Sequence, residues 1–402
     1  METRHQRVMP LVLLLLFITA LSVAGEPPSS LHPVVLVPGN TCSQLETRLT
    51  DEYEPSTPGC GIPKQGRGWF RLWENFTALQ EDPALLPCYA DQLRLVYDPV
   101  AGDYVPQRAR SQDPRRVLRL HPWLRLRQPR AKVRLRMNVC MEGLVEALQG
   151  VGYSEGANLF GAPYDFRYAP AARDLPQSVF TDFLSSLTLL VERASQTNGD
   201  KPAILVTRAQ PRGPLRHGVP QPEPAAVARQ HLVMLCLGVG GSPLNVWPIA
   251  AAPAIPPPSL VYAVLTYRNR SFASAFSLLP SPNVFGGDAP LVVTRARNYS
   301  ATDVPEFLAA AGFDGDEVEQ YRTRALPVTL NLKAPRVPMT CINGVGVPTV
   351  DKLVFWDGNF SAMPEFVNGD GDGQINLRTV LALQSIIGVL GMTRISVSSS
   401  QF

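Results

Sequence analysis

Short apolar runs bounded by turn-forming residues recur along the chain and predict buried β-strands. The clearest are residues 34–37 (VVLV), 204–206 (ILV), 232–236 (LVMLC) and 353–355 (LVF). Apolar side chains stand at successive positions in these runs, which is typical of parallel strands covered on both faces. We therefore expect an α/β fold with a mostly parallel sheet.

The amino-terminal residues 1–25 have the pattern of a secretory signal peptide. Arg4 and Arg7 precede an apolar run over residues 12–21, and small residues at 22–24 predict cleavage near Ala24. A retained membrane anchor is the alternative, although the run is shorter than the roughly 20 residues that a span needs. A later apolar stretch, residues 246–264, is interrupted by prolines and favours a loop or a cap.

Secretion is compatible with glycosylation, and the chain has acceptor sequences for it. Four Asn-x-Ser/Thr sequons begin at Asn75, Asn269, Asn298 and Asn359. A single sequon is weak evidence, but four behind a signal peptide agree. We expect a glycoprotein of the secretory pathway, either secreted or retained in an endomembrane lumen.

Secretion also favours oxidised cysteines. Cys60 and Cys88 flank a loop that contains Trp69 and Trp73. A disulfide between them would close about 29 residues and stabilise the fold by about 3–4 kcal/mol. Two free buried thiols are the alternative. The spacing of the other four cysteines indicates no pairing: Cys42, Cys140, Cys236 and Cys341.

Two arginine-rich segments interrupt a chain that is otherwise ordinary for one large domain. The 402 residues are 45% hydrophobic, 18% charged and carry a net charge of +3. Residues 107–136 contain ten arginines and Lys132 against the single acid Asp113, and residues 208–230 combine four arginines with five prolines. The basic balance of the chain comes from these two segments.

The arginine-rich segments have two interpretations. A polybasic patch for anionic lipid or nucleic acid is the functional one. The arginines follow no helical or alternating period, so we expect no nucleic-acid partner. The other interpretation is out-of-frame translation of GC-rich coding sequence, in which case both segments are poorly packed. In one choice of codons for residues 209–214, a shift of one base gives His-Ser-Leu-Gly-Gly.

The apolar run that ends at Thr207 leads into Arg-Ala-Gln-Pro-Arg-Gly-Pro. In an α/β-hydrolase, a buried strand leads into a Gly-x-Ser-x-Gly elbow that presents the nucleophilic serine. The strand is present here and the elbow is not. A serine with neighbouring glycines would stand at this place in the shifted frame.

Several motifs nevertheless resemble the lecithin-cholesterol acyltransferase family, most closely its plant lecithin-cholesterol acyltransferase-like 1 group. The matching motifs are VVLVPGN with QLE (34–40 and 44–46), GAPYDFR (161–167), LGVGGSP (237–243) and NGDGDG (368–373). The resemblance covers about three quarters of the chain, broken by the two arginine-rich segments and by the atypical tail, residues 389–402.

The resemblance implies an α/β-hydrolase fold with cap insertions and a Ser-Asp-His triad. Such a triad transfers a fatty acyl group from a phospholipid to an acyl acceptor, either an alcohol or water. The match assigns the acid to Asp372 and one oxyanion amide to Asn40. It also makes the loop between Cys60 and Cys88 an interfacial loop, whose Trp69 and Trp73 would enter a membrane or lipid surface. No cofactor or metal is implied.

The sequence departs from the family at two triad positions. No serine follows Thr207 in the elbow frame, and no histidine follows His231, which begins an apolar run and is more typical of a strand-start residue. Ser242, in Gly-Gly-Ser-Pro, is a candidate displaced nucleophile but has no histidine to activate it. Asp165 and Arg167 are expected to form a structural ion pair, with substrate contact as the alternative.

Asp372 has alternatives of its own. Residues 368–375 fit the first positions of a calcium-binding loop, but Thr379 stands where that loop needs a bidentate glutamate. A turn without chemistry is the other alternative. We expect a lipid O-acyltransferase or phospholipase scaffold that is inactive in this sequence. A lipid-binding or partner-binding pseudoenzyme is the competing hypothesis.

Overall fold

The computed structural model describes residues 31–47, 70–73, 82, 86–98, 103–106, 118–120, 141–169, 177–208, 231–235, 238–251, 271–331 and 337–387. Several predicted features lie outside these residues, namely the signal peptide (1–25), the tail (389–402), Cys60, Trp69, Asn75 and Asn269. Most of the two arginine-rich segments also lies outside them.

The described residues contain fourteen strands: β1 (Val34–Val37), β2 (Leu45–Thr47), β3 (Phe70–Trp73), β4 (Leu95–Asp98), β5 (Asp103–Pro106), β6 (Leu118–Leu120), β7 (Leu159–Gly161), β8 (Ile204–Arg208), β9 (His231–Leu235), β10 (Val292–Val293), β11 (Asn298–Tyr299), β12 (Met339–Ile342), β13 (Val347–Val354) and β14 (Glu365–Gly371).

Their α-helices are α1 (Leu86–Leu93), α2 (Glu142–Gly150), α3 (Ser178–Thr197), α4 (Val246–Ala250), α5 (Ala273–Ser277), α6 (Pro282–Phe285), α7 (Val304–Ala310), α8 (Gly315–Gln320), α9 (Leu326–Leu330) and α10 (Leu377–Ile387). A 3₁₀ turn, Pro243–Asn245, leads into α4, and a π-helical turn, Tyr321–Ala325, joins α8 to α9. None of the described helices is long and apolar enough to span a membrane.

The central sheet has five strands in the order β12-β9-β8-β1-β7, and every neighbouring pair is parallel. Successive residues of β1 pack on opposite faces of this sheet: Val35 and Val37 belong to one core cluster, and Val34 and Leu36 belong to another. Continuous apolar runs are needed because both faces are buried. The prediction of a parallel sheet built on β1, β8 and β9 is confirmed.

Helices cover the two faces of the central sheet. The apolar side of α3, which includes Phe183 and Leu187, is buried in the cluster that contains Val35. On the other face, Leu148 of α2 is buried in the cluster that contains Val34. The Gln177 side chain caps α3 by accepting a hydrogen bond from the Phe180 amide. The result is a three-layer α/β fold.

The predicted strand at residues 353–355 lies in a different sheet, so its assignment to the central sheet was wrong. It belongs to β13, in a mixed four-stranded sheet of order β11-β10-β13-β14. β13 pairs with β10 in parallel and with β14 in antiparallel fashion. The central sheet is completed instead by β12. The apolar run at the end of β13 indicates that Leu353 is buried, but it does not indicate which sheet contains the strand.

Two small antiparallel sheets, β3-β2-β6 and β4-β5, complete the strand pairing. β6 is notable because its residues, Leu118–Leu120, lie inside the first arginine-rich segment. They pair with Leu45–Thr47 of β2. Three residues of the segment therefore have regular backbone pairing. Poor packing of the rest of both segments stays a prediction.

Candidate functional site

The carboxyl ends of β1 and β8 define the candidate site. The two strands pair in register, with Val37 opposite Thr207 at the last full position. The residues that follow this pair, Pro38 and Arg208, therefore lie at the same edge of the sheet. This edge is where an α/β sheet with a strand-to-helix elbow presents a nucleophile.

The loop after β1, which contains Asn40, is fixed by contacts from two other segments. Ser43 accepts a hydrogen bond at Oγ from the Tyr164 amide (3.1 Å), and the indole N–H of Trp73 donates to the Thr41 carbonyl (2.6 Å). Thr41 has a positive φ of 65°. Among the described residues, none accepts a hydrogen bond from the Asn40 backbone N–H, and none donates one to its buried side-chain oxygen, Oδ1. The loop is thus held rigidly while Asn40 keeps unused polar groups.

The Trp73 side chain does not face solvent, so its expected role in a lipid-surface contact was wrong. It is 2% exposed and packs against Phe166 with ring centroids 5.5 Å apart. Its indole N–H is used by the loop after β1, because a buried indole needs a hydrogen-bond acceptor. Trp69 lies outside the described residues.

The structure brings Asp372 to the carboxyl end of β12. After β12 the chain forms the hairpin of β13 and β14, and the end of that hairpin brings Asp372 back next to Gly344, two residues beyond β12. A Cβ atom added to Gly344 would lie 2.9 Å from the Asp372 Cβ. Gly344 accordingly has no room for a side chain. A glycine at this position lets Asp372 approach the strand end closely.

One oxygen of the Asp372 carboxylate is committed to its own loop. Oδ1 accepts hydrogen bonds from the backbone amides of Gln374 (2.9 Å) and Ile375 (2.7 Å). Among the described residues, no group donates to Oδ2. An acid fixed through one oxygen and free at the other can orient a histidine.

Three polar side chains clamp the loop around Asp372. Thr349 accepts a hydrogen bond at Oγ1 from the Gly373 amide (2.8 Å) and donates to the Val347 carbonyl (2.9 Å). Asn376 donates to the Val350 carbonyl (2.9 Å). Ser242 donates from Oγ to the Gln374 carbonyl (2.7 Å). All three side chains are buried, so the loop has little freedom to move.

This clamp was not predicted from the sequence. Thr349 and Asn376 carry no motif, and their partners are 24 and 26 residues away along the chain. Ser242 was considered only as a displaced nucleophile. Its hydroxyl is instead occupied by the Gln374 carbonyl and its side chain is buried. The available signal was the glycine just before it, because a Cβ on Gly241 would meet the Leu279 carbonyl oxygen at 2.2 Å.

The calcium-loop alternative finds no support in the backbone. Residues 368–371 lie in β14 and pair with β13. The Asp370 carboxylate accepts a hydrogen bond from the Gly346 amide (2.6 Å). Among the described residues, no group of three or more His, Cys, Asp and Glu side chains is placed to hold a metal ion.

The described histidines lie at the opposite edge of the sheet from Asp372. His231 begins β9, and its Nε2 is 2.9 Å from Thr340 Oγ1. His32 precedes β1, and its Nδ1 is 2.8 Å from the Pro202 carbonyl oxygen. Burial lowers the pKa of His231. Both are strand-start residues with local partners, as the sequence indicated for His231.

Asp165 and Arg167 form a buried ion pair just after β7. Arg167 donates from Nε to Asp165 Oδ1 (2.9 Å) and from Nη2 to Oδ2 (2.6 Å), with both side chains almost fully buried. A third donor, Nη1, reaches the Leu93 carbonyl (3.1 Å). Burial alone would lower the pKa of Arg167, but the Asp165 carboxylate leaves that pKa raised overall. The pair ties the loop after β7 to α1.

The remaining predicted residues are placed as follows. Asn298 and Asn359 are exposed, as glycan acceptors must be. Cys42 and Cys88 are disulfide-bonded, and Cys341 is buried. Because Cys60 lies outside the described residues, its pairing with Cys88 stays a prediction.

Comparison with known proteins agrees with this architecture. A sequence model of the family Lecithin:cholesterol acyltransferase matches residues 69–210. The "Lecithin-cholesterol acyltransferase-like 1" of Oryza sativa subsp. japonica is 38% identical over 393 residues, which is 96% of this chain and 85% of that protein. The human "Lysosomal phospholipase A and acyltransferase" is 27% identical over 389 residues, with 93% of this chain and 87% of that protein covered.

A similarity also exists to a solved structure, "The crystal structure of Tle4-Tli4 complex". It has a TM-score of 0.48, 12% identity and 90% coverage of both chains. The sequence comparisons establish the relationship: this chain belongs to the lecithin:cholesterol acyltransferase family and has its α/β-hydrolase-like fold.

Proposed function

We propose that this chain keeps the scaffold of a phospholipid acyltransferase or phospholipase A but does not cleave esters in its present sequence. The observation that carries the proposal is the mismatch at one sheet edge. Asp372 is fixed and has a free oxygen, whereas the chain after Thr207, at the end of another strand of the same sheet, continues with arginine, alanine, glutamine and proline.

The chemistry of acyl transfer shows what is retained. In a complete site, a serine hydroxyl attacks the ester carbonyl while a histidine takes and later returns its proton. The Oδ2 atom of Asp372 would hold that histidine in the required tautomer. The unused N–H of Asn40 would donate to the oxyanion, an interaction that is usually a large part of catalysis. These two groups cannot start the reaction, because neither of them is a nucleophile.

The substrate class follows from the family relationship. We propose a phospholipid as acyl donor and an alcohol or water as acceptor, with the loop between Cys60 and Cys88 contacting the membrane or lipid surface. The burial of Trp73 leaves that contact to other residues of the loop. Passage through the secretory pathway is supported by the leader-like residues 1–25 and by the exposure of Asn298 and Asn359.

A non-catalytic lipid-binding protein is the second candidate. The intact clamp around Asp372 favours it, since the fold of the site persists where its nucleophile is absent. This candidate predicts binding of phospholipid vesicles without release of fatty acid. The first candidate predicts that the scaffold regains turnover when its missing groups are restored.

Rebuilding the site tests the proposal. Four proteins are compared: the chain itself, the chain with residues 208–213 replaced by His-Ser-Leu-Gly-Gly, the chain with a histidine-bearing family tail after Gly388, and the chain with both changes. Only the doubly changed protein should release fatty acid from phosphatidylcholine, and Asp372→Asn should remove most of that activity. Fatty-acid release well above background by the unchanged chain, at the rate of the doubly changed protein, would refute the proposal. Vesicle binding without activity in all four would favour the second candidate.

A further inference from the structure

The turn between β13 and β14 carries a large exposed indole. Trp356 is 55% exposed, whereas Phe355 before it is buried and Phe360 after it is half-buried against the core. Phe355 is 4% exposed and lies 5.3 Å from the Phe360 ring, and Phe360 also contacts Phe307 at 5.2 Å. A buried ring and a half-buried ring thus anchor a short segment whose intervening residues, 356–359, are exposed.

The backbone of this segment is a defined turn. The Gly358 amide donates to the Phe355 carbonyl (2.8 Å), and Gly358 has a φ of 72°, which favours glycine. Asn359 is exposed, and its side-chain oxygen accepts a hydrogen bond from the Ser361 amide (3.1 Å). Trp356 and Asn359 are therefore three residues apart on the outer side of one rigid turn.

The Trp356 indole is also positioned by a neighbouring strand connection. The Arg295 amide donates to the Trp356 carbonyl (2.9 Å), and the Arg295 guanidinium lies over the indole at 5.7 Å from its centroid. Arg295 is 3.7 Å from Asp357 in an exposed ion pair. The cation covers one part of the ring, and the 55% exposure shows that much of the indole still faces solvent.

We propose that Trp356 is the docking ring for the first sugar of an N-linked glycan on Asn359. Asn359 begins the sequon Asn-Phe-Ser, so the occupant is supplied by the same turn. The C–H groups on one face of a pyranose are apolar and pack on an aromatic face, while its hydroxyl groups stay in water. This proposal rests on passage through the secretory pathway and not on any acyl-transfer activity.

The covalent step is ordinary glycan transfer. A bond forms between the Asn359 side-chain nitrogen and the anomeric carbon of an oligosaccharide donated by a lipid pyrophosphate. The bond from that carbon to the pyrophosphate oxygen breaks, the pyrophosphate leaves with the bonding electrons, and the amide nitrogen loses one proton. The exposed side chain of Asn359 permits this transfer.

A lipid surface is the competing occupant of Trp356, because exposed tryptophan is favoured at membrane interfaces. The surroundings argue against it. Arg295 and Asp357 flank the indole with 72% and 83% exposed side chains, and a glycan on Asn359 would keep a bilayer away from the turn.

A double-mutant cycle on secreted protein tests the docking. The full chain is secreted from eukaryotic cells behind a heterologous leader, so that its own leader is not being tested. Ser361→Ala removes the glycan while keeping Asn359, and Trp356→Ser removes the ring. Glycan loss should lower Tm by about 2 °C with Trp356 present and by less than about 0.5 °C after Trp356→Ser.

Matched controls separate docking from general effects. Trp356→Phe should retain part of the glycan effect on Tm, because a smaller ring remains. Asn298→Gln removes a second sequon. The residue three positions before Asn298 is Arg295, where Asn359 has Trp356. The effect of Asn298→Gln on Tm should therefore not depend on Trp356. A glycosidase should remove the Asn359 glycan about threefold more slowly from the chain that has Trp356 than from the Trp356→Ser variant. This result would support the docking.

Three outcomes would overturn the proposal. The first is mass spectrometry that shows Asn359 unmodified in the secreted chain. The second is an equal glycan effect on Tm with and without Trp356. The third is binding of the glycosylated chain to phosphatidylcholine vesicles that is lost in Trp356→Ser, which would assign the ring to a lipid surface.

Discussion

Val37 and Thr207 are register partners at the carboxyl ends of β1 and β8. Both are almost fully buried, so the two strands end at the same depth in the core. The loop of Asn40 and the segment beginning at Arg208 therefore share one edge, where Gly344 also admits Asp372. At this edge, the sequence departs from a nucleophile elbow in the segment that follows Thr207.

Thr349→Val should weaken the loop that fixes Asp372. Valine fills the same buried space but leaves the Gly373 amide without its acceptor, which costs about 1–3 kcal/mol. Urea unfolding measures the loss. Thr323→Val is the control, because the Thr323 hydroxyl only bonds within an exposed helical turn. A loss for Thr349→Val no larger than for the control would contradict the clamp.

Breaking the ion pair of Asp165 and Arg167 should be costly. Arg167→Met leaves the Asp165 carboxylate buried without its partner, and the free energy of unfolding should fall by about 3–5 kcal/mol. Adding Asp165→Asn to Arg167→Met should recover part of this loss, because the unpaired charge is removed.

The exposed pair of Arg295 and Asp357 serves as the control for this experiment. Asp357→Asn should change the unfolding free energy by less than about 0.5 kcal/mol, because its charges are already solvated. Similar losses for Arg167→Met and Asp357→Asn would show that the buried pair is not structural.

His231 should make stability depend on pH. Burial holds its folded pKa below the unfolded value of about 6.5, so the unfolded chain binds more protons as pH falls below that value. Stability is therefore lost as pH falls from about 6.5 through the folded pKa, and it is regained as pH rises. His231→Gln should flatten this part of the pH profile of unfolding free energy. An unchanged profile would contradict the assignment.

The sequence was sufficient to predict the strands that are buried on both faces. Their apolar runs at β1, β8 and β9 do not depend on which helix covers them, so local pattern alone predicted them. The run at residues 353–355 was equally clear, but an apolar run does not encode its sheet partner. β12 was missed because Met339–Ile342 alternates between buried and half-buried positions.

The positions of two loops were predictable where a motif carried them. Asp372 and Asn40 were assigned by resemblance, and the structure places both loops at the same edge of the sheet, while their catalytic roles stay predictions. The clamp of Thr349, Asn376 and Ser242 was not predictable, since its hydrogen bonds join residues distant in sequence. The burial of Trp73 was missed for a similar reason: its acceptor, Thr41, lies 32 residues away.

The central claim is tested most directly by phospholipid hydrolysis with the purified chain in its present sequence. Fatty-acid release from phosphatidylcholine vesicles should equal that of the Asp372→Asn variant, because an acid without a nucleophile has no reaction to support. Hydrolases stripped of their triad keep only about 10³–10⁴-fold acceleration over water. Release at an ordinary enzymatic rate, blocked by a serine-directed inhibitor and lost in Asp372→Asn, would contradict the account.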